Sequence, residues 1–279
     1  MLINLKTVLD MAEKGGFAIP AFNVYNMESV IGVLEAAEEM KAPIIMQVYP
    51  RLMKEQTGYF LSPVIKAAAE RATVPVCFHL DHGPSELETT RSIRYGATGI
   101  MLDGSTLPFE ENIAITKRVV ETCSYLDIQV EGELGHVGMT NDDTMDEFTT
   151  AKDAKRFVEE TGVACLAVAV GTAHGKYKKP PKLDIERIKD IRKATNNTAL
   201  VLHGGSGVPD EEIKKAVAAG IRKMNFATDI CYAFLDTCLE ELQKPQRAVA
   251  IDSFMKKPIE AVRDFCITRI KLVGAENRA

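Results

Sequence analysis

With 279 residues, 46% of them hydrophobic and 26% charged, the chain has the composition of a globular protein able to bury a sizeable core. Its net charge of -5 argues against nucleic acid as a partner, and no apolar stretch approaches the length that spans a membrane. The first residues lack the basic start and long apolar centre of a signal peptide, and the six cysteines follow neither a CxxC metal spacing nor a disulfide rhythm. A cytoplasmic protein with reduced thiols is expected.

Lys6 to Lys14 reads as a helix covering one end of the fold. Apolar, β-rich runs then alternate with amphipathic segments, without a Ser/Gly-rich linker. The strand candidates begin with Phe17 to Phe22, Ile44 to Val48, Val74 to Phe78 and Gly99 to Leu102. Asp127 to Leu134, Val163 to Val170, Thr198 to Leu202 and Ile221 to Phe226 complete the set. Helices are expected from about Glu28 to Met40, Pro63 to Arg71, Ser85 to Tyr95, through Val119 and Val120, and from Thr150. Ser85 with Glu88, and Thr150 with Asp153, have capping-box spacing. Gly96, Gly162 and Gly220 sit where a left-handed residue ends a helix. Lys257 to Val273 reads as an extra C-terminal helix.

Eight strand–helix units predict one (β/α)8 TIM-barrel domain over residues 1–279, with a capping helix before it and an added helix after it. An open doubly wound sheet is the alternative, but no GxGxxG follows the first strand. Two strand-to-helix loops are long, Gly135 to Thr149 and Gly171 to Leu183, and long loops in a compact domain are usually functional.

Three of the five histidines fall just past strand ends: His82, His174 and His203. In a barrel those ends converge, and three imidazoles with an open fourth position suit a catalytic Zn2+. Gly204, Gly205, Ser206 and Gly207 lie between a strand and a helix near Pro209, and Asn225 to Asp229 puts polar groups before another helix. Bare N–H groups at such positions suit a phosphate, which barrels often bind beside their last two strands. Glu131 and Glu133 share one side of their strand, either near a metal or buried and paired.

His79-Leu80-Asp81-His82-Gly83, Val130 to Gly135, Gly171 to Gly175, His203 to Gly207 and Asn225 to Thr228 together resemble the class II ketose-bisphosphate aldolases. The short spacing is nearest the tagatose-bisphosphate branch. The resemblance implies reversible cleavage of tagatose or fructose bisphosphate, or a related ketose 1-phosphate, to dihydroxyacetone phosphate and an aldehyde, in a homodimer or higher homo-oligomer. It implies Zn2+ on His82, His174 and His203, with Glu133 at a position linked to an alternative metal site. Asp81 would handle the C4 hydroxyl proton, and Asp142 or Asp143 would be the loop acid. Gly175, Gly204, Ser206, Asn225 and Thr228 would hold the phosphate, with Lys178 nearby, a monovalent cation (Na+ or K+) beside it, and Asn23 and Gln47 on the substrate side.

Three features depart from the family pattern. Tyr49-Pro50-Arg51 follows the second strand where a small residue is common, and Arg51 suits a far-end anion through forked oxyanion pairing. His136 and Met139 to Asn141 replace a glycine-rich, glutamate-containing run. Ala227 stands where the fructose-bisphosphate branch carries an aspartate. The competing readings are an aldolase for a ketose phosphate with another far-end group, and a non-catalytic sugar-phosphate-binding subunit.

Overall fold

The computed structural model describes residues 1–135, 137, 148–175, 177, 180–245 and 250–279. In chain order it begins β1 (Leu2–Ile3), α1 (Leu5–Gly15), β2 (Ile19–Asn23), α2 (Met27–Glu39), β3 (Ile44–Val48), α3 (Pro50–Lys54) and α4 (Gln56–Arg71). There follow β4 (Val76–Gly83), α5 (Glu86–Arg94), β5 (Gly99–Leu102), α6 (Phe109–Ser124), β6 (Gln129–Leu134) and α7 (Ala151–Thr161). The last elements are β7 (Cys165–Val168), α8 (Ile185–Ala194), β8 (Ala199–Leu202), α9 (Asp210–Ala219), β9 (Ile221–Phe226), α10 (Thr228–Gln243) and α11 (Ile251–Leu272).

Strands β2 to β9 pair in parallel, each with its neighbour in sequence, and β9 returns to β2 through Ala21 opposite Asn225. The expected (β/α)8 barrel is therefore closed, so no edge among these eight strands is left unpaired. The strand candidates are near-continuous apolar runs because helices cover the sheet outside while side chains fill it inside. Among the described residues, no helix is long and apolar enough to cross a membrane.

Helix α1 lies across the N-terminal end of the barrel, touching β2, β4, β6 and β9 and burying Leu5, Val8, Leu9 and Ala12. Asn4 caps its first turn through Thr7 N at 2.9 Å, and Gly16, at φ +67°, ends it. The C-terminal helix α11 packs chiefly on α2 and α10, and Val262, Cys266 and Ile270 are buried there.

Four sequence expectations change. Strand β1, too short to show a pattern, pairs Leu2 and Ile3 with Val76 and Cys77, below the point where β5 joins β4. Helix α4 starts at Gln56, seven residues before Pro63; Leu61, Ile65 and Ala69 are buried on both sides of the proline, and their packing carries the helix through the missing N–H. Helix α11 starts at Ile251 and runs through Pro258 in the same way. Ser85 caps α5 through Glu88 N at 3.4 Å, but the Glu88 carboxylate is bound by Arg91 Nη1 at 2.7 and 2.9 Å, so only half of the capping box forms.

Candidate active site

Polar side chains gather at the C-terminal ends of the strands. On β4 strict alternation would send Asp81 and His82 to opposite faces. The β4–β5 register shifts between Leu80 and Gly83, and His82 has φ +49°, so both side chains reach the same cavity. Asp81 is 1% exposed, yet both carboxylate oxygens are held: Asn23 Nδ2 donates to Oδ2 at 2.8 Å and Asn225 Nδ2 to Oδ1 at 3.1 Å. Gln47 Nε2 in turn donates to Asn23 Oδ1 at 2.9 Å. Asn23 and Gln47 are both fully enclosed and stand behind Asp81.

His82, His174 and His203 each offer a ring nitrogen, and these atoms lie within 4.8 Å of one another. His82 Nε2 is 3.0 Å from His203 Nδ1 and 4.0 Å from Asp81 Oδ1. The other nitrogen of each ring meets a carboxylate: His82 Nδ1 with Asp103 Oδ2 at 2.7 Å, and His203 Nε2 with Glu131 Oε1 at 2.8 Å. Glu133 Oε2 lies 3.6 Å from both His82 Nδ1 and His203 Nδ1 and finds no hydrogen-bond partner among the described residues. Burial opposes charge on His82, but Asp81, Asp103 and Glu133 outweigh it and push its pKa up to about 10. Burial, with Asp103 nearby, pushes Glu133 up to about 8, while burial and the neighbouring His82 hold His203 well below the usual imidazole range. Carboxylates crowded around imidazoles favour a positive charge at their centre.

Beside this cluster Gly175, Gly204, Ser206, Asn225 and Thr228 line one small pocket, with Tyr49, His174, Gly205 and Ala227. A Cβ on Gly204 would clash with the Ala173 carbonyl oxygen, and its φ is +64°, so two loops approach more closely than any side chain allows. Tyr177 spans the same loops, its hydroxyl accepting from Ala173 N at 2.8 Å and donating to Gly204 O at 3.0 Å. On the far side, the Tyr49 ring stacks on His82 at 6.3 Å, and the exposed Arg51 guanidinium lies over Tyr49 and Tyr25 at 5.6 and 5.9 Å.

Residues 3–278 match the sequence model described as "Fructose-bisphosphate aldolase class-II". The chain belongs to the class II fructose-bisphosphate aldolase family. It is a lyase on a TIM barrel. A sulfofructosephosphate aldolase of Alkalicoccus urumqiensis is 39% identical over 99% of this chain and 98% of its own. The crystal structure of the YdjI aldolase of Escherichia coli K12 superposes with a TM-score of 0.90, at 35% identity over 100% of both chains. A putative fructose-1,6-bisphosphate aldolase of Coccidioides immitis has a TM-score of 0.88 at 26% identity, over 98% of this chain and 96% of that one.

Aldolases of this class typically use a divalent metal, and the donor set here fits one. Two ring nitrogens face each other with their opposite nitrogens bound to carboxylates, which orients imidazole lone pairs inward, as the carboxylates behind metal-binding histidines do. The orphaned Glu133 Oε2 adds a carboxyl oxygen at the same place.

The histidines, Asp81 and the glycine pocket thus lie together at one mouth of the barrel, and both glutamates are near the imidazoles as well as buried. Asp142, Asp143 and Lys178, with His136 and residues 139–141, lie outside the described residues. Sequence reasoning passed over Asp103, whose signal was its position directly after the apolar strand β5. It also passed over Lys223, a charge within an apolar strand and two residues from Asn225, and Tyr177, which carried no signal.

Proposed function

We propose that this aldolase reversibly cleaves a ketose 1-phosphate carrying a second anion at its far end, giving dihydroxyacetone phosphate and an aldehyde. Fructose and tagatose 1,6-bisphosphates are the first candidates. The observation that carries the reading is Asp81, a carboxylate held by two amides, 4.0 Å from His82 Nε2 and beside the glycine-rich pocket. His82, His174 and His203 would hold Zn2+, which when bound supplies a Lewis acid for the ketose carbonyl. Asp81 removes the C4 hydroxyl proton as the C3–C4 bond breaks, and the amides of Asn23 and Asn225 keep both its oxygens aimed. Backbone N–H groups at Gly175 and Gly204, the hydroxyls of Ser206 and Thr228 and the Asn225 amide bind the 1-phosphate, with Lys178 and a monovalent cation beside it. Asp142 or Asp143 returns a proton to C3. Glu133 stands by as a further metal ligand.

Arg51 would read the far-end anion. Its guanidinium has no carboxylate partner among the described residues, and the stack of Tyr49 on His82 connects it to the imidazoles. The name of the 39% identical relative, sulfofructosephosphate aldolase, supports a second reading in which that anion is a sulfonate.

The whole chain, residues 1–279, acts as one cytoplasmic barrel unit in carbohydrate breakdown of the glycolytic kind. All six cysteines are free thiols, which suits that compartment. A homodimer completes the reading: Tyr232, Leu235, Leu239 and Leu242 form an exposed apolar row on one face of α10.

The test is release of dihydroxyacetone phosphate by zinc-loaded protein from fructose and tagatose bisphosphates, their 1-phosphates and sulfofructose 1-phosphate, with and without chelator. Chelator-sensitive release, fastest from a substrate with a far-end anion, is expected. Silence across the set, or release that ignores the chelator, would overturn the reading.

A further inference from the structure

Lys223 is fully enclosed inside the barrel, among the largest buried side chains of the molecule. Burying an ammonium and a carboxylate costs more than an apolar pair of the same size, so this pair is a poor choice as mere core filling. Lys223 Nζ donates to Asn225 Oδ1 at 2.8 Å and lies 2.9 Å from Glu131 Oε2. Both contacts continue into the site. Asn225 Nδ2 donates onward to Asp81 Oδ1 at 3.1 Å, and Glu131 Oε1 meets His203 Nε2 at 2.8 Å. One buried cation therefore stands at the fork of two polar chains, one ending on the carboxylate that faces the substrate and the other on an imidazole of the three-histidine cluster.

We infer that Lys223 is a positioning residue that sets the hydrogen-bond polarity of both halves of the site, the general base and the metal ligand. The inference rests on the aldolase reading of Asp81 and the histidines given above.

An asparagine side chain has one accepting and one donating end. A cationic donor on Asn225 Oδ1 leaves only the NH2 group to face Asp81, so the carboxylate always receives a donor there. On the other branch, holding Glu131 Oε2 leaves Oε1 to accept from His203 Nε2. With its proton on Nε2, His203 presents the Nδ1 lone pair toward His82 and the centre of the cluster. The alternation along the strands makes this possible: Lys223 and Asn225 share the inner face of β9, two residues apart. Removing the ammonium frees Glu131 to turn away from His203 and frees the Asn225 amide to flip.

The experiment compares the full chain with Lys223→Met and with the uncharged pair Glu131→Gln/Lys223→Met. Zinc affinity is measured by competition with a chromophoric chelator, the visible spectrum is recorded on cobalt-loaded protein, and kcat and KM are taken on the best ketose phosphate. Lys223→Met is expected to bind zinc about 10- to 100-fold more weakly, the usual cost of losing an outer partner of a metal ligand, and to alter the cobalt bands. Its kcat is expected to fall at least about tenfold, as for a group that aims the general base and a metal ligand.

In the double variant the amide oxygen that replaces the Glu131 carboxylate still accepts from His203, so zinc affinity returns to within about threefold of the parent, as restoring the partner of a metal ligand requires. Its kcat stays low because nothing holds Asn225. A melting temperature that falls while zinc affinity, the cobalt bands and kcat all keep parental values would make Lys223 plain packing and overturn the inference. Recovery of parental kcat in the double variant would overturn the Asn225 branch, and that variant decides alone if Lys223→Met does not fold. Zinc affinity and the cobalt spectrum need no substrate, so a parent silent on every ketose would sink the proposed reaction and leave this test standing.

Discussion

His82 Nε2 and His203 Nδ1 face each other across 3.0 Å, each with its opposite ring nitrogen bound to a carboxylate. Two imidazole lone pairs so placed repel unless a proton or a cation lies at their centre. One zinc per chain is therefore expected by elemental analysis, and stripping it with chelator should lower the melting temperature, with recovery on adding Zn2+. His174→Ala should release most of the zinc. A full complement of metal in that variant would break the three-histidine site.

Asp81→Ala removes the carboxylate and leaves the donors of Asn23 and Asn225 facing empty space. Turnover should fall by roughly 10²- to 10⁴-fold, the usual worth of a positioned general base, while zinc content and inorganic phosphate binding persist. Turnover close to the parent's would remove Asp81 from its assigned role.

Gly204 and Gly16 both have positive φ, +64° and +67°, but a Cβ on Gly204 clashes with the Ala173 carbonyl oxygen while one on Gly16 meets nothing within 4 Å. Gly16→Ala should cost about 1 kcal/mol of stability through backbone strain alone. Gly204→Ala should cost more and weaken competitive inhibition by inorganic phosphate about tenfold, near the worth of one charge-assisted hydrogen bond. Equal melting temperatures and equal inhibition constants for the two variants would refute the close approach of loops at Gly204.

Arg51→Ala should raise KM for ketoses with a far-end phosphate or sulfonate by roughly 10- to 100-fold, the range for a lost charge-assisted hydrogen bond. Simple 1-phosphates should change little. Equal effects on both groups of substrate would take Arg51 out of specificity.

Leu239→Glu places a charge in the middle of the exposed row on α10. Light scattering should report a dimer for the parent and a monomer for the variant. Identical masses would remove α10 from the subunit interface.

The amino-acid sequence by itself carried the alternation of eight apolar runs with amphipathic helices, and hence the barrel, because each period reflects which face its element buries. The histidines after strand ends and the glycine-rich segment were also legible, since in a parallel barrel those ends open on one mouth. Local pattern could not reveal where a strand breaks its own rule. The bulge that turns His82 to the same cavity as Asp81 depends on the pairing of β4 with β5. Asp103 and Lys223 are ordinary acidic and basic residues in sequence. They became partners of the site only when β5, β6, β8 and β9 closed around it. Closure mattered because a buried charge is tolerated only beside its counterpart, and strands far apart in sequence supplied those counterparts.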